Sequence, residues 1–168
     1  DQAAGRHVEH QAQAAAAGML STFMPPEQQG DPEIQDPHAV VQSPGTPTAF
    51  WSQHHCGIFR SDDDLASWHP IEAKPSSFGF AVAVHPRDGN TAWFVPALSD
   101  QKRAPVQGQV VVTRTRDGGK SFVVLREGLP QQHAYDLCFR HALAISPDGE
   151  ALAFGSTTGN LFATGDQG

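Results

Sequence analysis

Ser61-Asp62-Asp63-Asp64-Leu65-Ala66-Ser67-Trp68 and Thr115-Arg116-Asp117-Gly118-Gly119-Lys120-Ser121-Phe122 are two copies of one pattern. Each has a hydroxyl residue, an aspartate two positions later, a second hydroxyl residue, and an aromatic residue that closes it. A third copy opens at Thr164-Gly165-Asp166-Gln167-Gly168. The copies recur about every fifty residues, a period that marks stacked structural repeats. A tight bend between two strands leaves backbone N–H groups without ladder partners, and an aspartate side chain can accept from the amides just after it. That assigns Ser61, Asp63, Thr115, Asp117, Thr164 and Asp166 to structure. Gly119 suits a backbone position of positive φ. Leu65 stands where Gly119 stands in the second copy, so the first corner is expected to be strained or differently shaped. The closing aromatic, Trp68 or Phe122, begins an outer strand and packs between neighbouring sheets.

Working outward from the corners, short β-rich runs separated by turn residues account for the rest of the chain from Ala39. Candidate strands cover 39–42, 48–52, 57–60 and 68–71, then 80–85, 91–98, 110–115 and 122–125, then 141–146, 151–155 and 161–164. Turn chemistry divides them, as at Pro44-Gly45, Asp88-Gly89-Asn90, Asp148-Gly149 and Gly159-Asn160. The expected architecture is all-β: a β-propeller fragment of four-stranded antiparallel blades, about two complete and most of a third. Residues 1–38 read as an irregular lead-in, 39–71 as the first blade, 80–125 as the second, and 141–168 as the third, which stops inside its corner.

Composition agrees. Charged residues make up 17% of the 168, while Gly 16 and Pro 13 punctuate the chain often, which suits strands and turns better than long helices. The formal charge of -7 argues against nucleic acid as a partner. No apolar run approaches the ~20 residues that span a bilayer, so a soluble protein without membrane insertion is expected. Residues 14–17 lack the basic leader and apolar core of a signal peptide, although one could precede residue 1. Cys56 and Cys138 are too few for a disulfide framework, and both are expected as buried free thiols.

The corner pattern resembles that of Asp-box proteins, the bacterial neuraminidase repeats, a group that includes sialidases, sortilin-type receptors and xyloglucan-cleaving hydrolases. The stretches His54-His55-Cys56-Gly57-Ile58-Phe59-Arg60-Ser61, Ser77-Phe78-Gly79-Phe80-Ala81-Val82-Ala83-Val84-His85-Pro86 and Leu152-Ala153-Phe154-Gly155-Ser156-Thr157-Thr158-Gly159-Asn160-Leu161 are similar to bacterial sialidase-like and glycosyl-hydrolase-like repeat proteins. The resemblance covers residues 32–168 and implies that the aspartate corners are structural and lie away from the ligand-binding face.

In a blade the innermost strand lines a central channel. Loops before the first strand and between the second and third then share the face opposite the corners, in segments 24–38, 53–56, 72–79, 99–109, 127–140 and 157–160. Within them Tyr135 and Asp136, with His133 and Arg140 nearby, could act on or bind a polyhydroxylated or anionic ligand. Asp136 and Arg140 could equally pair to fasten the loop. Glu33 lies in an acidic loop with Asp36 and His38, and a glycosidase needs two carboxyl groups about the scissile bond. A sialidase needs a tyrosine nucleophile, an acidic helper and three arginines; Tyr135 is the sole tyrosine, and Arg140 the only arginine well placed near it. Lys102 and Arg103 could meet an anion. His54 and His55 project to opposite sides if extended, and His54 with Cys56 lacks a third ligand, so neither a metal nor a cofactor is expected. Arg60 and Arg114 precede their corners at equivalent positions, which argues for a repeated structural task. Two functions remain: a carbohydrate-active glycoside hydrolase, or a non-catalytic scaffold that binds a protein or glycan. Either needs the remaining blades of the propeller, and the fragment alone is expected to self-associate through its open edges.

Overall fold

A computed structural model describes residues 25–29 and 36–168. Eleven strands form three antiparallel sheets in simple meander order. The first holds β1 (Pro37–Ser43), β2 (Thr46–His54), β3 (Gly57–Ser61) and β4 (His69–Ile71). The second holds β5 (Gly79–Val84), β6 (Ala92–Pro96), β7 (Val112–Thr115) and β8 (Val123–Leu125). The third holds β9 (Leu143–Ile145), β10 (Leu152–Gly155) and β11 (Leu161–Thr164). Among the described residues no α-helix occurs.

The sheets stack face to face, with β1 against β5 and β5 against β9. Alternation along the strands supplies both inner faces. Ala39, Trp51 and Ile58 of the first sheet meet Val82, Val84, Ala92 and Phe94 of the second. On the second sheet's other face Ala81, Ala83, Trp93, Val95 and Val112 meet Leu143, Leu152 and Phe154 of the third. Because β5 is covered on both sides, all six of its residues are buried.

The aspartate corners recur with nearly superposable hydrogen bonding. Asp63 Oδ1 accepts from Ser61 Oγ at 2.9 Å and from the Ser67 amide at 2.9 Å, and Oδ2 accepts from Ser67 Oγ at 2.6 Å. Asp117 receives the same three bonds from Thr115 Oγ1, the Ser121 amide and Ser121 Oγ, at 2.9, 2.9 and 2.6 Å. In turn Ser61 Oγ accepts from the Leu65 amide at 3.0 Å, and Thr115 Oγ1 from the Gly119 amide at 2.9 Å. The third corner has Thr164 Oγ1 donating to Asp166, whose Oδ1 accepts from the Gly168 amide at 3.2 Å. Two successive positive-φ residues make each bend: Asp64 and Leu65 (57° and 71°), Gly118 and Gly119 (73° and 91°), Gln167 and Gly168 (68° and 83°). Leu65 thus takes the glycine conformation instead of reshaping the loop. Its side chain packs on Val40, Phe50, Phe59 and Trp68, which offsets part of the backbone cost.

Arg60 and Arg114 do share a task. Each lies across from a fully buried tryptophan on the second strand, Arg60 opposite Trp51 and Arg114 opposite Trp93. Each also reaches the following sheet. Arg60 stacks over Trp51 at 4.9 Å, bonds Asn90 Oδ1 at 2.8 Å, and lies where a Cβ on Gly118 would strike it. Arg114 donates to the carbonyls of Gln167 and Gly168 at 3.1 and 3.3 Å. The indoles do the same, Trp51 Nε1 donating to Gly89 O and Trp93 Nε1 to Gln167 O. Neither cysteine forms a disulfide. The expectation of burial is corrected for Cys56: it sits at the exposed β2–β3 turn, where its amide donates to His54 Nδ1. Cys138 is buried, and desolvation pushes its pKa up to about 12.

Replacing Asp117 by Ala removes three bonds from one corner, and Tm is expected to fall by roughly 3 °C in a thermal melt. Asp117→Asn, which keeps the shape but loses the charge, should give a smaller drop. The Asp63 and Asp117 carboxyls are held down at about 2, first by the Ser67 and Ser121 hydroxyls and then by the amides of the same residues. A free aspartate titrates near ~3.9, so this stabilisation is complete above that value and is lost as pH falls toward ~2. Melts across pH 2–6 should show Tm declining below pH ~4, and less steeply in Asp117→Asn.

Candidate functional site

In each meander the β1–β2, β5–β6 and β9–β10 turns share an end with the aspartate corners. The loops that follow the second and fourth strands gather at the other end. There, on the first sheet, His38 is buried at the start of β1, and its Nδ1 donates to Gly79 O at 2.6 Å, bridging to the second sheet. That bond places the proton on Nδ1, and Nε2 faces Asp36 Oδ2 at 3.6 Å. Burial lowers the His38 pKa, against the opposing effects of the Gly79 bond and Asp36. Arg140, from the loop ahead of β9, approaches the same Asp36 oxygen at 3.6 Å, so one carboxylate touches groups from the first and third sheets.

Aromatic rings occupy the middle of this end. Phe80 stacks with His38 at 4.7 Å between centroids and meets Phe139 edge-on at 4.6 Å and Phe78 at 5.3 Å. His55 sits edge-on to His38 at 6.0 Å and to Phe78 at 6.2 Å. Arg103, from the long loop after β6, lies over the Phe80 ring at 5.5 Å and forks onto Asp100 Oδ1 through Nε at 3.0 Å and Nη2 at 2.5 Å. The Arg103 bonds hold the Asp100 carboxyl below the usual carboxylate range, against slight desolvation. Three sheets therefore contribute to one cluster of rings bordered by Asp36, Asp100, Arg103 and Arg140. Phe80 and His38 are buried, while Phe139 remains 40% exposed and both arginine side chains are about half exposed, so the cluster meets solvent along its Phe139 and arginine rim.

The local sequence explains the placement. Gly79 is needed because a Cβ there would come within 2.9 Å of Val95 O and 3.1 Å of Gln53 Oε1. Gln53, fully buried, donates to Ser77 O at 2.9 Å and Gly57 O at 3.2 Å, tying the β2–β3 turn to the connection between the first two sheets. The His55 amide donates to Asp36 O at 3.2 Å.

The residues singled out from the sequence divide. His55, Arg103 and Arg140 join the ring cluster. His54 is buried on the other face of β2, edge-on to Phe59, and burial lowers its pKa to about 4. Lys102 and His133 are exposed. Tyr135 stands 73% exposed, whereas its neighbour Asp136 is buried and turned away into the β10–β11 turn. There Asp136 accepts from Thr158 Oγ1, from Ser156 Oγ at 2.7 Å and from Asn160 Nδ2 at 2.8 Å. Burial opposes its ionisation, but the Thr158, Asn160 and Ser156 donors prevail and hold the carboxyl below its usual range. Asp136 and Arg140 thus fasten to different partners, the first to a turn and the second to Asp36. Glu33 lies outside the described residues. Among the described residues no group of three His, Cys, Asp or Glu side chains could hold a metal ion, and no helix is long and apolar enough to cross a membrane.

Sequence reasoning passed over Phe78, Phe80, Asp100 and Phe139. The available signal was positional: aromatic or imidazole residues just ahead of, or at the start of, the innermost strand in all three repeats, as His38, Phe80 and Phe139.

The sequence matches no protein-family model and no curated protein. The structure is similar to that of an ancestral GH74 enzyme, with a TM-score of 0.60 and 14% identity over 80% of this chain and 18% of that one. It is likewise similar to the GH74 xyloglucanase from Xanthomonas campestris, with a TM-score of 0.58 and 22% identity over 77% of this chain and 19% of the other. A GH74 enzyme from Niastella koreensis gives a TM-score of 0.52 and 16% identity over 76% and 16%. The chain spans less than a fifth of the length of these enzymes. At such identities the likeness concerns the fold alone, and the fold is that of a β-propeller, of which the chain supplies three sheets.

Proposed function

We propose that the chain is part of an Asp-box propeller that binds a carbohydrate at the end carrying the ring cluster. In this reading residues 1–38 lead into blades at 39–71, 80–125 and 141–168. The observation that carries it is the convergence of Phe78, Phe80 and Phe139 with His38, Asp36, Arg103 and Arg140 from three sheets. Exposed Phe139 and the half-buried Phe78 and His55, bordered by carboxylates and guanidinium groups over buried Phe80, suit a ligand with apolar C–H faces and a rim of hydroxyls. The aspartate corners, at the far end, supply the scaffold.

A glycoside hydrolase is the second reading, favoured by two acids at this end, Asp36 and Asp100, each already held by an arginine. Tyr135 and Asp136 support it less. Asp136 is saturated by three donors and stays ionised, which suits neither the acid that protonates a leaving group nor a freely mobile base. A scaffold that recognises a protein through the same rings is the alternative to both.

Glycan-array screening of the protein, with xyloglucan oligosaccharides and sialosides included, should give saturable binding. Phe139→Ala and Arg140→Ala are each expected to weaken it about tenfold, whereas Lys120→Ala, at the corner end, leaves it unchanged. Absence of binding to any glycan sinks the carbohydrate reading. Release of reducing sugar that Asp36→Asn or Asp100→Asn abolishes moves the assignment to hydrolase.

A further inference from the structure

Among the described residues Arg140 is the one arginine whose guanidinium donates no hydrogen bond to the protein. Arg60, Arg87, Arg103, Arg114, Arg116 and Arg126 each donate to a carboxylate, carbonyl or amide oxygen. Arg140 stays 3.6 Å from Asp36 Oδ2, with its side chain 52% exposed. Its backbone also holds φ at 35°, a conformation that a residue with a Cβ adopts only at a cost. The loop ahead of β9 thus holds a strained arginine at the rim of the ring cluster, with its N–H donors unpaired. A guanidinium fork matches a carboxylate, which it grips through parallel N–H···O bonds.

His38 reaches the same oxygen of Asp36, also at 3.6 Å. With the Nδ1 proton bonded to Gly79 O, neutral His38 shows Asp36 only the Nε2 lone pair. Lone pair and carboxylate are both acceptors, so no hydrogen bond joins them. A proton on Nε2 turns the contact into a charge-assisted hydrogen bond and repels Arg140. Burial lowers the His38 pKa most, the Gly79 bond and Asp36 raise it, and Arg140 and His55 lower it again, so His38 gains its proton below the ordinary histidine value. The other titratable groups nearby are engaged elsewhere. His55, from the β2–β3 turn, stands edge-on at 6.0 Å; His54 lies on the other face of β2, its Nδ1 accepting from the Cys56 amide; Asp100, from the loop after β6, is held by Arg103. Among the described residues only His38 and Arg140 come within ion-pair distance of Asp36.

We propose that His38 is a positioning residue: on gaining a proton it draws Asp36 away from Arg140 and leaves that guanidinium to the carboxylate of an acidic sugar. This deepens the carbohydrate reading of the site, on which it rests, by giving the ligand a charge and its binding a control. Affinity for a uronate rises as pH falls, and affinity for the matching neutral sugar does not.

Methyl β-glucuronide and methyl β-glucoside, alike except for the carboxylate, are the probes. Both are titrated into the full chain by NMR between pH ~8 and ~5, where the glucuronide stays ionised and the aspartate corners keep their charge. Glucuronide affinity should rise about fivefold or more as pH falls, with glucoside affinity constant. His38→Asn, whose amide can still donate to Gly79 O but cannot titrate, should abolish the rise. Asp36→Asn, a change at a half-exposed side chain, should give the high glucuronide affinity already at pH ~8. Without sugar, the Arg140 Cζ resonance should shift with the same midpoint as the His38 imidazole, and Asp36→Asn should uncouple the two. If neither sugar binds while these resonances still move together, the carbohydrate reading fails and the hold of His38 on Arg140 stands. Glucuronide affinity that ignores pH, a pH dependence that survives His38→Asn or that His55→Gln removes, or independent titration of the two resonances overturns the proposal.

Discussion

In each complete corner a carboxylate accepts from two hydroxyls and one amide, and every outer strand depends on that arrangement. An isolated reversal with two successive positive-φ residues is unfavourable, more so when those residues are Asp64 and Leu65. Charge-assisted bonds are roughly twice as strong as neutral ones, and three converge on each of Asp63 and Asp117. The conformation therefore comes from the carboxylate, and glycine only lowers its cost. Once the bend is set, Trp68 and Phe122 are delivered to the sheet face three residues later. The apolar layer between sheets then extends to its outer margin.

Stacking needs more than apolar faces, since hydrophobic burial has no direction of its own. Direction comes from polar atoms at the margin of each interface. Trp51 and Trp93 contribute wholly buried rings, and each indole N–H finds a carbonyl on the following sheet. Arg60 and Arg114 lie across from those tryptophans and hold the following sheet's loops. The third sheet has Ala153 and Ala163 at the corresponding positions and so lacks the device.

The fold was legible because its determinants are local. Strand alternation, turn residues and the corner pattern all act within a few residues, and each expected strand from 39 to 164 has its counterpart among β1–β11. The candidate site was less legible because its contacts join residues far apart in sequence. Nothing near Asp136 indicates that its partners are Ser156, Thr158 and Asn160, or that Arg140 turns instead to Asp36. Adjacent Tyr135 and Asp136 diverge for the ordinary reason that neighbours in extended chain point to opposite sides. Cys56 is exposed because the β2–β3 turn is only two residues long, too short to fold a side chain back under a sheet. Leu65 was legible as an anomaly, while its resolution needed the four-residue apolar cluster beneath it.

The two ends of the sheets differ in how fully their polar groups are committed. At the corner end Asp63, Asp117, Asn90 and the carbonyls of Gly89 and Gln167 all serve contacts within or between sheets. Because each contact must repeat for the sheets to stack in one geometry, that end has little freedom to acquire a ligand. The opposite end carries no such requirement. Its loops differ in length from one sheet to the next, and Gln53, Gly79 and His38 are fixed by close packing across the first interface. Phe139 and the two guanidinium groups there remain partly solvated, at a place where three sheets converge. A repeating scaffold held at one end by identical bonds thus leaves its other end free to be chemically distinctive, and that difference places the candidate site beside Phe80 and away from the aspartates that hold the sheets.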